Sequence, residues 1–192
     1  MKNNKLDNKG MTLIELVVII AIMAVLTASF AVSITLISKQ RVSNAANDLK
    51  STIQLAQTYA KSRGSCWLEI IGTENGSNSF IMIEKDGVET IGNGPNNINK
   101  KITTQVEFVL SDGTTQTITL SEGMGVQINI DRSTGGFMTS YVYSDANDIN
   151  VSGTTPLYTG VPQRIIFSNG EKESVLWLAT NTGLVTFESQ KD

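Results

Sequence analysis

The stretch "KGMTLIELVVIIAIMAVLTASFAVSITLIS", residues 9–38, decides the fold. From Leu16 to Ser38 it carries no charge over 23 residues, which at about 1.5 Å of rise each make about 35 Å of helix, enough to cross a bilayer core of about 30 Å. Glu15 stands at the head of this run. A carboxylate within a span costs on the order of 2.5–3.5 kcal/mol at the bilayer centre and less near an end, so Glu15 is expected to have a partner.

Outward from this stretch toward the N-terminus, "MKNNKLDNKG" is polar, with Lys2, Lys5 and Lys9 against Asp7. Basic residues ahead of a span hold that side in the cytoplasm, which places the remainder outside. A secretory leader carries its apolar segment before a small-residue cleavage site. Here the small residue, Gly10, precedes the apolar run, so a cut after Gly10 removes the polar leader and retains the hydrophobic segment.

In the other direction neither Gly nor Pro occurs from Met11 to Arg63, and Gly64 follows Lys61 and Arg63 as a helix C-terminus requires. One long helix over 11–64 is expected, its first half (about 14–38) transmembrane and its second half (39–63) amphipathic. Val42, Ala45, Ala46, Leu49, Ile53, Ala56 and Ala60 recur every three or four residues, a face meant for the domain that follows. Residues 65–192 read as one β-rich domain. Hairpins are signalled at Asp86-Gly87, Asp112-Gly113 and Asn169-Gly170. Strands are expected from near Trp67, Phe80, Val88, Val106, Gln116, Val126, Tyr141, Arg164, Val175 and Leu184. "GNGPNNINKK" (92–101) and "SDANDINVSGTTP" (144–156) are turn-rich loops. Trp67, Trp177 and Cys66 are expected in the core.

The chain has 15 basic and 18 acidic residues, no histidine and one cysteine. Ser-His-Asp and Cys-His nucleophilic systems and His-ligated metals are thereby excluded, and a lone cysteine forms no internal disulfide. No acidic pair stands in a hydrolase motif, so no enzyme and no cofactor is expected. Residues 102–192 hold four basic side chains (Arg132, Arg164, Lys172, Lys191) against ten acidic ones, a net of 4 − 10 = −6, which disfavours nucleic acid. Asp145, Asn147 and Asp148 offer clustered oxygens of the kind Ca²⁺ accepts, but the loop lacks the glycine and closing glutamate of an EF-hand; an Asx-rich turn accounts for them better.

"KGMTLIELVVIIAIMAVL" resembles the class III signal of type IV prepilins and pseudopilins, with a glycine before the cut, a hydrophobic residue after it, and a glutamate five positions past the glycine. The resemblance implies an α+β pilin-like fold, a long helix packed on a β-rich domain. It also implies that a prepilin peptidase cuts after Gly10, removing 1–10, and methylates the new N-terminus at Met11, where phenylalanine is the commoner residue. Glu15 is then the assembly residue, drawn to the amine of Met11 on a neighbouring subunit, since a carboxylate and an ammonium in low dielectric attract strongly. More weakly, "LKSTIQLAQTYAKSRG" running into "CWLEII", and "IIFSNGEKESVLWLATNTGLVTF", are similar to H-type pseudopilins and FimT-like minor pilins, whose domain is two β-sheets against the helix. The implied function is a minor pilin or pseudopilin: a single-pass membrane protein that meets the peptidase, an inner assembly platform and other pilins, and joins a surface filament, with initiation of assembly at the tip among the roles implied. The alternatives are a tip-located adhesion or DNA-uptake module, or a pseudopilin of type II secretion.

Gly10→Val should abolish leader removal and Gly10→Ala should slow it, because the peptidase must approach the backbone closely there. Mass spectrometry of filament material should find a chain that begins at methylated Met11, and an intact leader in filaments would refute this.

Overall fold

The structure, a computed structural model, describes residues 12–64, 66–72, 78–84, 87–91, 102–149 and 153–190, and within them the side chains other than those of 29–35, 38, 63, 78–84, 87–91 and 190. The chain divides into two compact units, Met1–Ser38 and Lys39–Asp192. One helix, α1 (Leu13–Arg63), contributes to both. The expected 92–101 loop lies outside the described residues.

In the first unit, the large apolar side chains from Leu13 to Leu26 are 47–82% exposed. Among the described residues of this unit, none covers them. Among the described residues no helix is long and apolar enough to cross a membrane.

In the second unit, the whole stripe read from the sequence is buried: Val42, Ala45, Ala46, Leu49, Ile53, Ala56 and Ala60 are at most 2% exposed. Val42, Ala45, Ala46, Leu49 and Ile53 join the main core, and Ala56 and Ala60 pack with Cys66 and Ile130 in a smaller one. Ten strands follow among the described residues, all but the eighth beginning close to the expected places. They are β1 (Cys66–Gly72), β2 (Asn78–Glu84), β3 (Gly87–Ile91), β4 (Thr103–Leu110), β5 (Thr115–Thr119), β6 (Gly125–Asn129), β7 (Ser140–Tyr143), β8 (Tyr158–Ser168), β9 (Glu173–Leu178) and β10 (Val185–Gln190). With α1 they make the α+β pilin-like arrangement that the sequence implied. The described pairs are all antiparallel. Leu68, Ile70, Val106, Phe108, Val126, Ile128, Ile165, Phe167 and Leu176 point inward to α1 in a single cluster.

The three expected hairpins pair β2 with β3, β4 with β5, and β8 with β9. The β2–β3 turn itself, at 85–86, lies outside the described residues. In the other two the connection is four residues, and its Asx side chain organises it: Asp112 Oδ1 accepts from the Thr114 N–H (2.9 Å) and hydroxyl (2.6 Å), and Asn169 Oδ1 accepts from the Glu171 and Lys172 N–H groups (3.0 and 2.8 Å).

Two expectations need correction, and both concern β8. The strand begins at Tyr158 rather than near Arg164, because Pro162 is accommodated by a bulge: Glu107 faces Arg164 and Phe108 faces Pro162, leaving Gln163 as the extra residue. The implied pair of sheets is one hydrogen-bonded sheet, in the order β10-β9-β8-β7-β6-β1-β2-β3, with β4 and β5 branching from β8. The branch follows from length. β8 has 11 residues, so one of its edges is shared by β7, opposite 158–160, and β9, opposite 164–168, while β4 takes the other edge.

A polar latch ties α1 to two distant loops. Gln57 Nε2 donates to the carbonyls of Gly135 (2.9 Å) and Gly183 (2.6 Å), and the Phe137 N–H donates to the Thr180 carbonyl (2.9 Å). The first loop is shaped by Asp131, whose Oδ1 accepts from the Ser133 hydroxyl (2.5 Å) and N–H (2.7 Å) and the Thr134 N–H (2.8 Å). The Ser133 hydroxyl first, then these amides, hold the Asp131 carboxyl down to about 2 from its ordinary 3.8. This depressed value means that the loop's contribution is complete above about pH 4 and is lost as pH falls through about 2.

Gly183 has φ +69°, and a Cβ there would collide with the Gly135 carbonyl oxygen. Gln57→Ala should cost about 1–3 kcal/mol by orphaning two carbonyls, and Gly183→Ala should cost more, adding left-handed strain of about 1–2 kcal/mol to a backbone clash. Denaturant unfolding of the purified chain measures both; a neutral Gly183→Ala would disprove the latch.

Candidate functional site

The residues assigned to processing, Gly10 and Met11, lie outside the described residues. Glu15 lies at the first turn of α1. Its Oε2 accepts from the backbone N–H of Thr12 (2.8 Å) and from the Thr12 hydroxyl (2.9 Å), while the Thr12 hydroxyl oxygen accepts from the Glu15 N–H (3.3 Å). This is a reciprocal capping box, with Thr12 just before the helix and Glu15 three residues on. It closes the helix start together with the Leu16 N–H to Thr12 carbonyl bond (3.2 Å). Within its own chain the partner of Glu15 is Thr12. Its signal is the spacing T-x-x-E in "TLIE". The arrangement fixes the carboxylate where the helix presents its unpaired N–H groups and the positive end of its dipole, a place that favours negative charge.

Of the suggested Ca²⁺ ligands, Asp145 is engaged in shaping its own turn. Asp145 caps the 3-10 turn Ala146–Asp148, and its Oδ1 accepts from both the N–H and the side-chain amide of Asn147, each at 2.9 Å. Among the described residues no group of three or more His, Cys, Asp or Glu side chains is placed to hold a metal.

Cys66 is buried, against Ala56, Ala60 and Ile130, as expected. The tryptophans depart from expectation. Trp177 is 41% exposed, because its neighbours Leu176 and Leu178 take the inward positions of β9 and strand alternation turns Trp177 out. Trp67 is half-buried, flanked by the inward Leu68, and its indole N–H donates to Glu69 Oε1 (2.8 Å).

Trp177 belongs to a cross-strand row that joins four strands. Glu107 of β4 faces Arg164 of β8, which faces Trp177 of β9, which faces Thr186 of β10. Arg164 donates to Glu107 Oε2 at 2.6 Å. The guanidinium carbon lies 5.3 Å from the Trp177 ring centroid, and the indole N–H donates to Glu188 Oε2 at 2.9 Å. Glu107 and Arg164 stand 57 positions apart in the chain, and no local spacing marks such a contact in advance.

A capped helix start, a helical face left exposed in the first unit and, in the second, a helical stretch laid on an antiparallel sheet make an α+β pilin-like arrangement. Residues 5–31 match the model of the prokaryotic N-terminal methylation motif, so the chain carries the class III prepilin signal of type IV pilins and pseudopilins. No curated protein and no solved structure gives a match. The motif indicates a structural subunit, implies processing by a prepilin peptidase and assembly with other pilins, and implies a membrane-anchored protein assembled at the surface.

Thr12→Val should fray the start of α1 by about 0.5–2 kcal/mol, whereas Thr12→Ser should preserve it. Hydrogen exchange of the amides of residues 13–16, in the full chain held in detergent micelles, reads this directly. Equal protection in Thr12→Val and the parent would show that the box does not hold the helix end.

Proposed function

We propose that the chain is a minor pilin or pseudopilin: residues 1–10 are a leader removed after Gly10, Met11 becomes the methylated N-terminus, residues about 14–38 cross the membrane once, and 65–192 form the exported domain. The observation that carries this reading is the pairing of the Thr12–Glu15 box with an apolar helical face that no described residue of its own unit covers. Such a face is stable only against lipid or against the same face of other subunits. A subunit that first rests in the bilayer and then moves into a filament uses both.

Glu15 gives that transfer its register. The capping box holds the carboxylate at the helix start, in the first turn after the amine that cleavage would create at Met11, and so at the level where a neighbouring chain's amine can approach. An incoming amine completes a charge pair that neither lipid nor the apolar face supplies. Removing one member of a buried pair typically costs about 3–5 kcal/mol, enough to exclude a subunit from a filament. The net charge of −6 over residues 102–192 favours this structural role over nucleic-acid capture.

Glu15→Val leaves the apolar segment more hydrophobic, so insertion and leader cleavage should persist while processed protein accumulates in the membrane. Sheared filaments from cells carrying Glu15→Val should contain little of it. Wild-type amounts in that fraction would refute recruitment through Glu15, and retention of the leader would refute the processing step instead.

A further inference from the structure

On the outer face of the sheet, where β9 meets β10, an open groove of about 320 Å³ lies beside Trp177. It is at the lower end of the range of about 300–1,000 Å³ for small-ligand sites. Trp177 and Leu184 form its apolar walls, Gln163, Thr180 and Thr186 its polar ones, and aliphatic residues at the end of β9 complete it. We propose that this groove binds a neutral saccharide, stacking a sugar ring on Trp177.

Three observations carry the proposal. Trp177 is both exposed (41%) and held: Arg164 lies over its ring at 5.3 Å, locked in turn by Glu107 at 2.6 Å, and the indole N–H is taken by Glu188 at 2.9 Å. The ring is thus oriented before any ligand arrives, which lowers the entropy lost on binding. With its single donor used, it offers a ligand carbon surface only.

The lining carries no charged side chain, and residues 102–192 as a whole hold ten acidic to four basic ones. Phosphate and nucleic acid are repelled by that field, and with no carboxylate in the lining a cation has no ligand there. Leu184, 61% exposed, and the Trp177 ring call for an apolar surface, whereas Gln163, Thr180 and Thr186 call for hydrogen bonds that a purely apolar occupant would leave unmade at a cost. A pyranose ring satisfies both demands, since its C–H groups project from one face and its hydroxyls surround the rim.

The test uses the full chain in a detergent without a sugar headgroup, titrated with neutral oligosaccharides of glucose, galactose, mannose and N-acetylglucosamine. Binding is read by saturation-transfer NMR on the sugar C–H protons and by tryptophan emission. At least one of the four series should bind saturably. Trp177→Ala and, as a variant that leaves the ring in place, Thr186→Val should each weaken it by about tenfold or more, whereas Trp67→Phe should leave it unchanged; circular dichroism checks that each variant is folded. No saturation by any of the four up to about 10 mM, binding indifferent to both groove variants, or response to an uncharged apolar peptide with none to sugars would each overturn the proposal. These substitutions leave residues 1–63 untouched, so filament incorporation stays at wild-type level in them, and a failure of the pilin reading is told apart from a failure of this one.

Discussion

The seating of one face of α1 on the sheet is the constraint on which the rest of the second unit depends. Val42, Ala45, Ala46, Leu49, Ile53, Ala56 and Ala60 are all but inaccessible, and full burial of side chains such as Leu49 and Ile53 contributes about 1.5–3 kcal/mol each. With no disulfide available and one cysteine that is itself packed in the core, this apolar contact holds the domain without the cross-links common in small secreted domains. The sheet must turn its inward side chains to this face. Strand register follows, because a slip by one residue would turn every inward side chain outward.

Polar contacts then join elements that the apolar contact has brought together. Gln57 reaches the carbonyls of Gly135 and Gly183, 78 and 126 residues away, and Lys172 Nζ donates to Ser43 Oγ at 2.8 Å. Both anchor loops to α1. On the opposite face the Glu107–Arg164–Trp177–Glu188 series binds four strands across the point where β8 changes neighbours. The bulge at Gln163 lies one residue from Arg164 in that series, so the irregularity that admits Pro162 also brings Gln163 to the groove wall.

The first unit obeys a different rule. Its apolar side chains are 47–82% exposed from Leu13 to Leu26, and the Thr12–Glu15 box satisfies a helix end rather than a core. A carboxylate used this way has two claims upon it. Within a single chain it closes the helix start. Beside the amine of another chain it would act as a counter-charge, and in low dielectric a charge pair attracts more strongly than the hydrogen bonds to a neutral hydroxyl and amide that the cap supplies.

Sequence alone determined where the helix runs, because a stretch from Met11 to Arg63 without Gly or Pro leaves α1 no reason to break, and it determined which helical face would be buried, because period 3.6 is a local property. It also marked the places of the strands and of the three hairpins, although not the early start of β8 at Tyr158, since Asx-Gly turns between β-prone runs act over about four or five residues. The T-x-x-E box is equally local and legible, although the charge of Glu15 draws attention to other subunits first. Tertiary structure alone decided the orientation of β9, where Val175, Leu176, Trp177 and Leu178 are apolar on both parities and alternation cannot say which side faces α1. It alone decided the branch at β8, which depends on how two short strands share one long edge. The Arg164–Glu107 pair, the capture of Trp177 and the groove beside it are likewise products of register between β4, β8, β9 and β10. Register is set by the whole sheet closing on α1, and no spacing along the chain records it.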